Sequence, residues 1–301
     1  MVGELPTCQT SRILPLGDSF MSNTVLFESS TGKVTTASFR EALLSAHAHE
    51  ADVLYVHSGL KFGQPAKGLS RYDLLSNLVE TIIDLGVKTI CMPTFTFSFC
   101  NGENYDVQAS KSHMGALNEH FRKRTDVTRS ADPLMSVAAF GEDMNLVQDL
   151  GIQSTGKDSN FDKLDSCSNV KFLFLGVHPG DCFTYMHYLE WKADVPYRYD
   201  REFTGEVVDN GVSTTVTKKL FVRYNGVVPN DASYTYGDLL LETGQLSKVN
   251  LGDSSLSSVS LEPARELYLS LLNDDPNYFI TEPFDPDKVT DTFSAHNMVA
   301  L

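Results

Sequence analysis

Asp181, Thr184, His187 and Glu190 recur every third residue within the stretch 180–197. On a helix this spacing sets neighbouring members on one face. The residue types suit proton transfer, because an imidazole titrates near neutrality and a carboxylate can orient it or hold a cation. A general base is the chemistry they support. The same spacing also fits a helix-surface histidine beside a solvated glutamate. A metal site needs a third ligand, and the H-E-x-x-H pattern does not occur, so no metal is expected. Cys182 precedes His187 by five residues, which leaves a covalent cysteine–histidine route open beside plain core packing of that thiol.

A rigid strand end must position these side chains. Residues 170–177 form an apolar run that reads as a buried strand, and the cluster follows at once. Open α/β sheets bind ligands outside such strand ends. Upstream, 38–50 reads as a helix with Ser38 as N-cap, 52–58 as a strand, 70–85 as an amphipathic helix ended by Gly86, and 87–92 as a strand. That order predicts parallel pairing through a crossover. Further on, 112–122 reads as a helix, 134–140 as a strand, 144–150 as a short helix and 184–193 as a helix. Asp209-Asn-Gly211 between Val, Thr and Phe predicts a hairpin over 202–224. Residues 239–241 and 264–272 read as helical, and the tail from Pro283 as a surface arm. The expected fold class is α/β: a central mixed, partly parallel sheet flanked by helices, with a smaller antiparallel hairpin and helical C-terminal part. Residues 1–200 are expected to form the α/β portion that carries the site. Residues 201–301 are expected to pack on it, as one domain.

The 301 residues are 42% apolar and 21% charged, enough for a sizeable core. The formal charge is −15, which disfavours binding to nucleic acid or to anionic membranes. The acidic excess is greatest over 201–301, where 7 basic side chains meet 15 acidic ones. The bland reading is a solvated surface; the functional one is attraction of a cationic substrate. The five cysteines, Cys8, Cys91, Cys100, Cys167 and Cys182, form no C-x-x-C pair. With no signal peptide and no membrane-length apolar run read, a cytoplasmic protein is expected. The oligomeric state is open, a homodimer included.

Three further segments place small polar residues at the ends of apolar runs: His57 and Ser58 in 56–60, Thr94 in 92–98, and Ser130 and Ser136 in 129–141. In this order, and with Thr-x-x-His-x-x-Glu at 184–190, the segments resemble the aminoglycoside 3-N-acetyltransferase family. Its His-Ser first loop, Met-Pro-Thr strand end and Arg-Ser-x-x-Pro-x-x-Ser segment match at 56–60, 92–94 and 129–136. The resemblance covers about residues 12 to 200 well. It implies transfer of an acetyl group from acetyl-CoA to an amine on a sugar. His187 would take the proton, and Glu190 would orient the imidazole or hold the ammonium group. Asp181, Thr184 and His57 would meet the substrate, with Thr184 near the thioester. Ser58, Thr94, Ser130 and Ser136 would line the CoA side, with Lys61, Lys67, Arg129 and the basic run 122–124 offsetting the acidic field. Three departures fall in the CoA loops: Asp132 where histidine is common, 65–68 in place of a Gly-Gly pair, and 87–90 in place of Gly-Thr-Leu. They favour a nucleotide-linked amino sugar as acceptor, where Trp191 and Tyr197 would stack if they are not core. The alternatives are an aminoglycoside acceptor, and a non-catalytic binding protein of the same fold.

Overall fold

The computed structural model describes residues 23–289; Cys8 and the last residues of the acidic tail lie outside the described residues. Strands β1 (Val25–Ser29) and β2 (Gly32–Thr35) lead into helix α1 (Thr36–Ser45). Thr35 is the N-cap of α1, and Ser38 lies one turn inside. The two form a reciprocal box: Thr35 Oγ1 accepts from Ser38 N, and Ser38 Oγ accepts from Thr35 N. Strands β3 (Val53–Ser58) and β4 (Gln64–Pro65) precede α2 (Arg71–Ile83), which Ser70 caps by accepting from Asp73 N. Next come β5 (Thr89–Pro93) and the short β6 (Tyr105–Asp106). The helix expected over 112–122 shrinks to α3 (Ala116–Phe121), because Gly115 stands before it at φ 95° and Ser112 N donates to Glu119 Oε2 instead. After β7 (Thr128–Arg129), strand β8 (Val137–Gly141) starts later than 134–140 predicts. Asp132 Oδ1 accepts from Leu134 N and Met135 N and holds a turn there. The helix expected over 144–150 is a single 3-10 turn, Met144–Leu146, without a side-chain cap.

Helix α4 (Asn160–Asp165), strand β9 (Val170–Leu175) and helices α5 (Pro179–Cys182) and α6 (Tyr185–Lys192) bring the chain to a long hairpin. Its arms are β10 (Arg198–Asp209) and β11 (Val212–Arg223), turning at Asn210 and Gly211 with positive φ at both. Helix α7 (Ala232–Glu242), strands β12 (Leu246–Leu251) and β13 (Ser254–Ser260) and helix α8 (Leu261–Asp274) follow.

Seven strands form the central sheet in the order β12-β13-β9-β3-β5-β8-β7. β9, β3 and β5 run parallel, and the outer pairings are antiparallel. The sheet is therefore mixed and partly parallel. Alternation along β3 feeds two cores: Val53 and Tyr55 join the cluster with Phe172, Phe174 and Tyr185, while Leu54 and Val56 join Leu78, Ile90 and Leu173 on the other face. Helices α1, α2 and α3 contribute to the second cluster, and α4, α6 and α8 to the first. Sequence reading does not anticipate the β12–β13 hairpin, whose serines look loop-like. Ser257 and Ser258 are nevertheless buried, and Ser258 Oγ donates to Ala46 O. Position 200 lies inside β10, and residues beyond it add two strands to the sheet alongside β9. Among the described residues no helix is long and apolar enough to cross a membrane.

Candidate active site

Beyond the carboxyl end of β9 the chain turns sharply. His178 caps α5 by accepting from Gly180 N at 3.0 Å, and Pro179 opens that helix. Close approach to α7 requires two glycines here. A Cβ on Gly180 would lie 2.9 Å from the Tyr234 ring, and one on Gly237 would lie 2.7 Å from His178 Cε1. Helix α6 follows, burying Tyr185, Met186, Tyr188 and Leu189 in the core. The face carrying His187 and Glu190 opens on a cavity of about 480 Å³.

Asp181, Thr184, His187 and Glu190 all line this cavity. His187 Nδ1 lies 2.8 Å from Glu190 Oε2. Tyr197 Oη donates to Glu190 Oε1 at 2.9 Å, and Arg198 Nε lies 2.9 Å from Oε2, a charge contact rather than an aligned hydrogen bond. Burial pushes the Glu190 carboxyl up, but Arg198, His187 and Tyr197 more than reverse this and hold it at about 2. Glu190 is therefore an ionised, acceptor-only group, and His187 Nδ1 must donate to it. Arg198 Nη2, 3.1 Å from Nδ1, then touches the ring without a hydrogen bond. Burial, followed by the Arg198 charge, lowers the His187 pKa below its ordinary 6.5. The product is a neutral imidazole with Nδ1–H fixed on a carboxylate and Nε2 left as the free base. Thr184 Oγ1 is buried without a partner among the described residues. Asp181 sits exposed at the mouth, where Tyr234 Oη donates to it.

The remaining expected site residues lie elsewhere. His57 is 3% exposed and stacks on Phe174 at 5.3 Å, and burial drives its pKa to about 3. Ser58 Oγ donates to Asn118 Oδ1 at 2.7 Å. Thr94 Oγ1 donates to Ser136 O and Ser136 Oγ to Thr94 O, at 3.1 and 2.7 Å. Ser130 Oγ accepts from Val137 N at 3.0 Å. None of these five residues lines the 480 Å³ cavity, and Thr94, Ser130 and Ser136 are fully buried, tying the end of β5 to the loop before β8. Cys182 donates to His178 O, and burial pushes its thiol up, away from the thiolate a nucleophile requires. Tyr197 is core, with its hydroxyl on Glu190, and Trp191 stacks on Tyr188 at 6.0 Å. Among the described residues no group of three His, Cys, Asp or Glu is arranged to hold a metal.

Sequence reasoning missed Arg198 and Arg223 on the cavity wall. Arg198 directly follows the stretch read, and a cation beside an expected buried carboxylate was the signal. Arg223 carries no local signal, because only the hairpin register brings it opposite Arg198.

The cavity thus places a histidine held by a buried carboxylate beyond the end of a parallel strand in a mixed α/β sheet, an arrangement able to accept a proton. The family model for aminoglycoside 3-N-acetyltransferase matches residues 56–273, and the chain belongs to that family of CoA-dependent N-acetyltransferases. Solved structures share the fold. Aminoglycoside acetyltransferase AAC(3)-Xa is 19% identical with a TM-score of 0.68, over 80% of this chain and 93% of that one. AAC-IIIb in a binary complex with CoASH is 18% identical with a TM-score of 0.67, over 80% and 97%. A mutant of AAC(3)-IVa in complex with a gentamicin is 20% identical with a TM-score of 0.67, over 87% and 94%. None of the curated proteins matches the chain by sequence.

Proposed function

We propose that the protein transfers the acetyl group of acetyl-CoA to an amine of an aminoglycoside-type amino sugar, with His187 as the general base. The observation that carries this reading is the 2.8 Å contact of His187 Nδ1 with the ionised Glu190 on the cavity wall, which assigns the proton to Nδ1 and leaves Nε2 as acceptor. An ammonium group is not a nucleophile until it loses a proton, and His187 is neutral and able to take it. Glu190 then faces the imidazolium formed, a positioning role rather than a direct contact with substrate. The unpartnered Thr184 Oγ1 can donate to the oxygen where charge builds during attack on the thioester. Direct attack by the amine forms the amide C–N bond, breaks the thioester C–S bond and releases CoA as its thiol.

The residues present fit CoA. A second cavity of about 290 Å³ shares Asp181 with the first and is lined by Lys61, Lys248, Ser254 and Ser255. Two ammonium groups and hydroxyls suit its phosphates. Lys61 and Lys248 would hold the phosphates of CoA there, and acetyl-CoA would supply the acetyl thioester. The four described cysteines are all free thiols, in keeping with the reducing cytoplasm where acetyl-CoA is used.

Family membership and the gentamicin complex of a relative favour an aminoglycoside over the nucleotide-linked sugar expected from the sequence. The test is CoA release with a panel of aminoglycosides and nucleotide-linked amino sugars. Turnover confined to aminoglycosides is the expected result. Turnover confined to nucleotide-linked sugars reverses the choice of acceptor, and no turnover of any amine, with no CoA binding by calorimetry, overturns the reading.

A further inference from the structure

Arg223 makes no contact used in the chemistry above, where its charge only adds to the lowering of the His187 pKa. It ends β11 and pairs directly across from Arg198 in the hairpin register. Like charges directly opposite destabilise a strand pair, so two arginines there need compensation. Arg198 has it: Glu190 Oε2 is 2.9 Å from its Nε, and its Nη1 donates to Phe221 O at 3.0 Å. The Arg223 guanidinium makes neither a hydrogen bond nor an ion pair among the described residues. It lines the same 480 Å³ cavity as His187. Burial, then the Arg198 charge, lower its pKa, and the Glu190 charge offsets them only in part.

Of the acids on the cavity wall, Glu190 acts on Arg223 through its charge alone and makes no ion pair with it among the described residues. Glu190 is engaged by His187, Arg198 and Tyr197, and Asp181 accepts from Tyr234. Asp231 lines the cavity without pairing to Arg223. A guanidinium presents a rigid fork of donors that matches a carboxylate or a phosphate. A purely cationic ligand would leave this fork unmatched.

We infer that Arg223 is a specificity residue that holds an anionic group, a carboxylate or a phosphate, on the ligands bound beside His187. The group sits either on the amino sugar or on the acyl chain of the thioester. The inference rests on acyl transfer at His187 and narrows its substrate class.

The full chain and its Arg223→Gln variant are compared for CoA release in two arms. One arm uses acetyl-CoA with glucosamine 6-phosphate against glucosamine. The other uses gentamicin with succinyl-CoA against acetyl-CoA. In one arm the native chain should favour the anion-bearing substrate by about tenfold or more in kcat/KM. Arg223→Gln should lose about that factor there and stay within about threefold on the substrate lacking the anion. The arm that responds identifies which ligand carries the charge. Turnover with no preference in either arm overturns the inference, and so does an equal loss in Arg223→Gln on both members of a pair. If no pairing turns over, the acyl-transfer reading is decided separately by the wider acceptor panel and CoA calorimetry described above. Calorimetry with glucosamine 6-phosphate and succinyl-CoA then decides: tighter binding to the native chain than to Arg223→Gln supports the anion contact, and equal binding overturns it. Arg223→Lys keeps the charge without the fork. It should fall between the two, which guards against a folding defect in the glutamine variant.

Discussion

The charge state of His187 is set by burial and three charged neighbours acting in opposed directions. Burial, Arg198 and Arg223 favour the neutral ring, while Glu190 favours the imidazolium. Because the base must be neutral, kcat/KM rises with pH through a His187 pKa below 6.5. Arg198→Met removes a lowering charge, so the acid limb should move to higher pH. Glu190→Gln removes a raising charge and the fixed Nδ1–H acceptor. Its acid limb should move to lower pH, with a lower plateau. The pH profiles of CoA release by the two variants check this, and limbs that stay where the native enzyme has them contradict the assigned roles.

Strand β3 shows how an element can take a chemically inviting residue out of the chemistry. His57 occupies an inward position of β3, between Tyr55 at 5.3 Å and Phe174 at 5.3 Å. The unfolded chain protonates this ring as pH falls through 6.5, and the folded chain does so only near 3. Stability from the buried neutral ring is therefore present above 6.5 and lost between 6.5 and about 3, at about 1.4 kcal/mol per pH unit. His57→Phe should flatten the fall in thermal midpoint over that window and keep CoA release. A variant that keeps the native acid sensitivity, or loses activity while folded, would place His57 in the site. The same element-level logic sets what was legible. The run 170–177 reads correctly as a strand and His187 and Glu190 as helix neighbours, because apolar continuity and three-residue spacing are local signals, but Asp181 lies on α5 and Thr184 at the cap of α6, so the four do not share one helix. Thr94, Ser130 and Ser136 have the composition of a ligand loop, but their hydroxyls bond to the chain itself. Arg223 and the serine-rich β13 depend on register and burial that form only across long separations.

Across the whole molecule, the charge of −15 does not translate simply into the site. The basic run expected to face CoA is neutralised locally: Arg122 Nε pairs with Glu119 at 2.6 Å, and Arg124 pairs with Glu80 and Asp126. Arg129 is buried with its guanidinium on the carbonyl oxygens of Thr94, Val107 and Ser110. Lys61 alone of the cations named from sequence lines the second cavity, joined there by Lys248 from β12. We propose that the two halves of the chain, 1–200 and 201–301, fold as one unit, since β13 pairs with β9 and α8 covers the face that α6 shares. Thermal unfolding should show a single transition with coincident calorimetric and van't Hoff enthalpies. Two separable transitions would assign the halves to independent domains.

Proton removal by His187 is the step on which the proposed reaction depends. The direct test is the rate of CoA release by His187→Ala with an aminoglycoside that the native chain acetylates. Loss of the base should lower kcat by about a hundredfold to ten-thousandfold, with the thermal midpoint preserved. Undiminished release from a folded His187→Ala protein would contradict it.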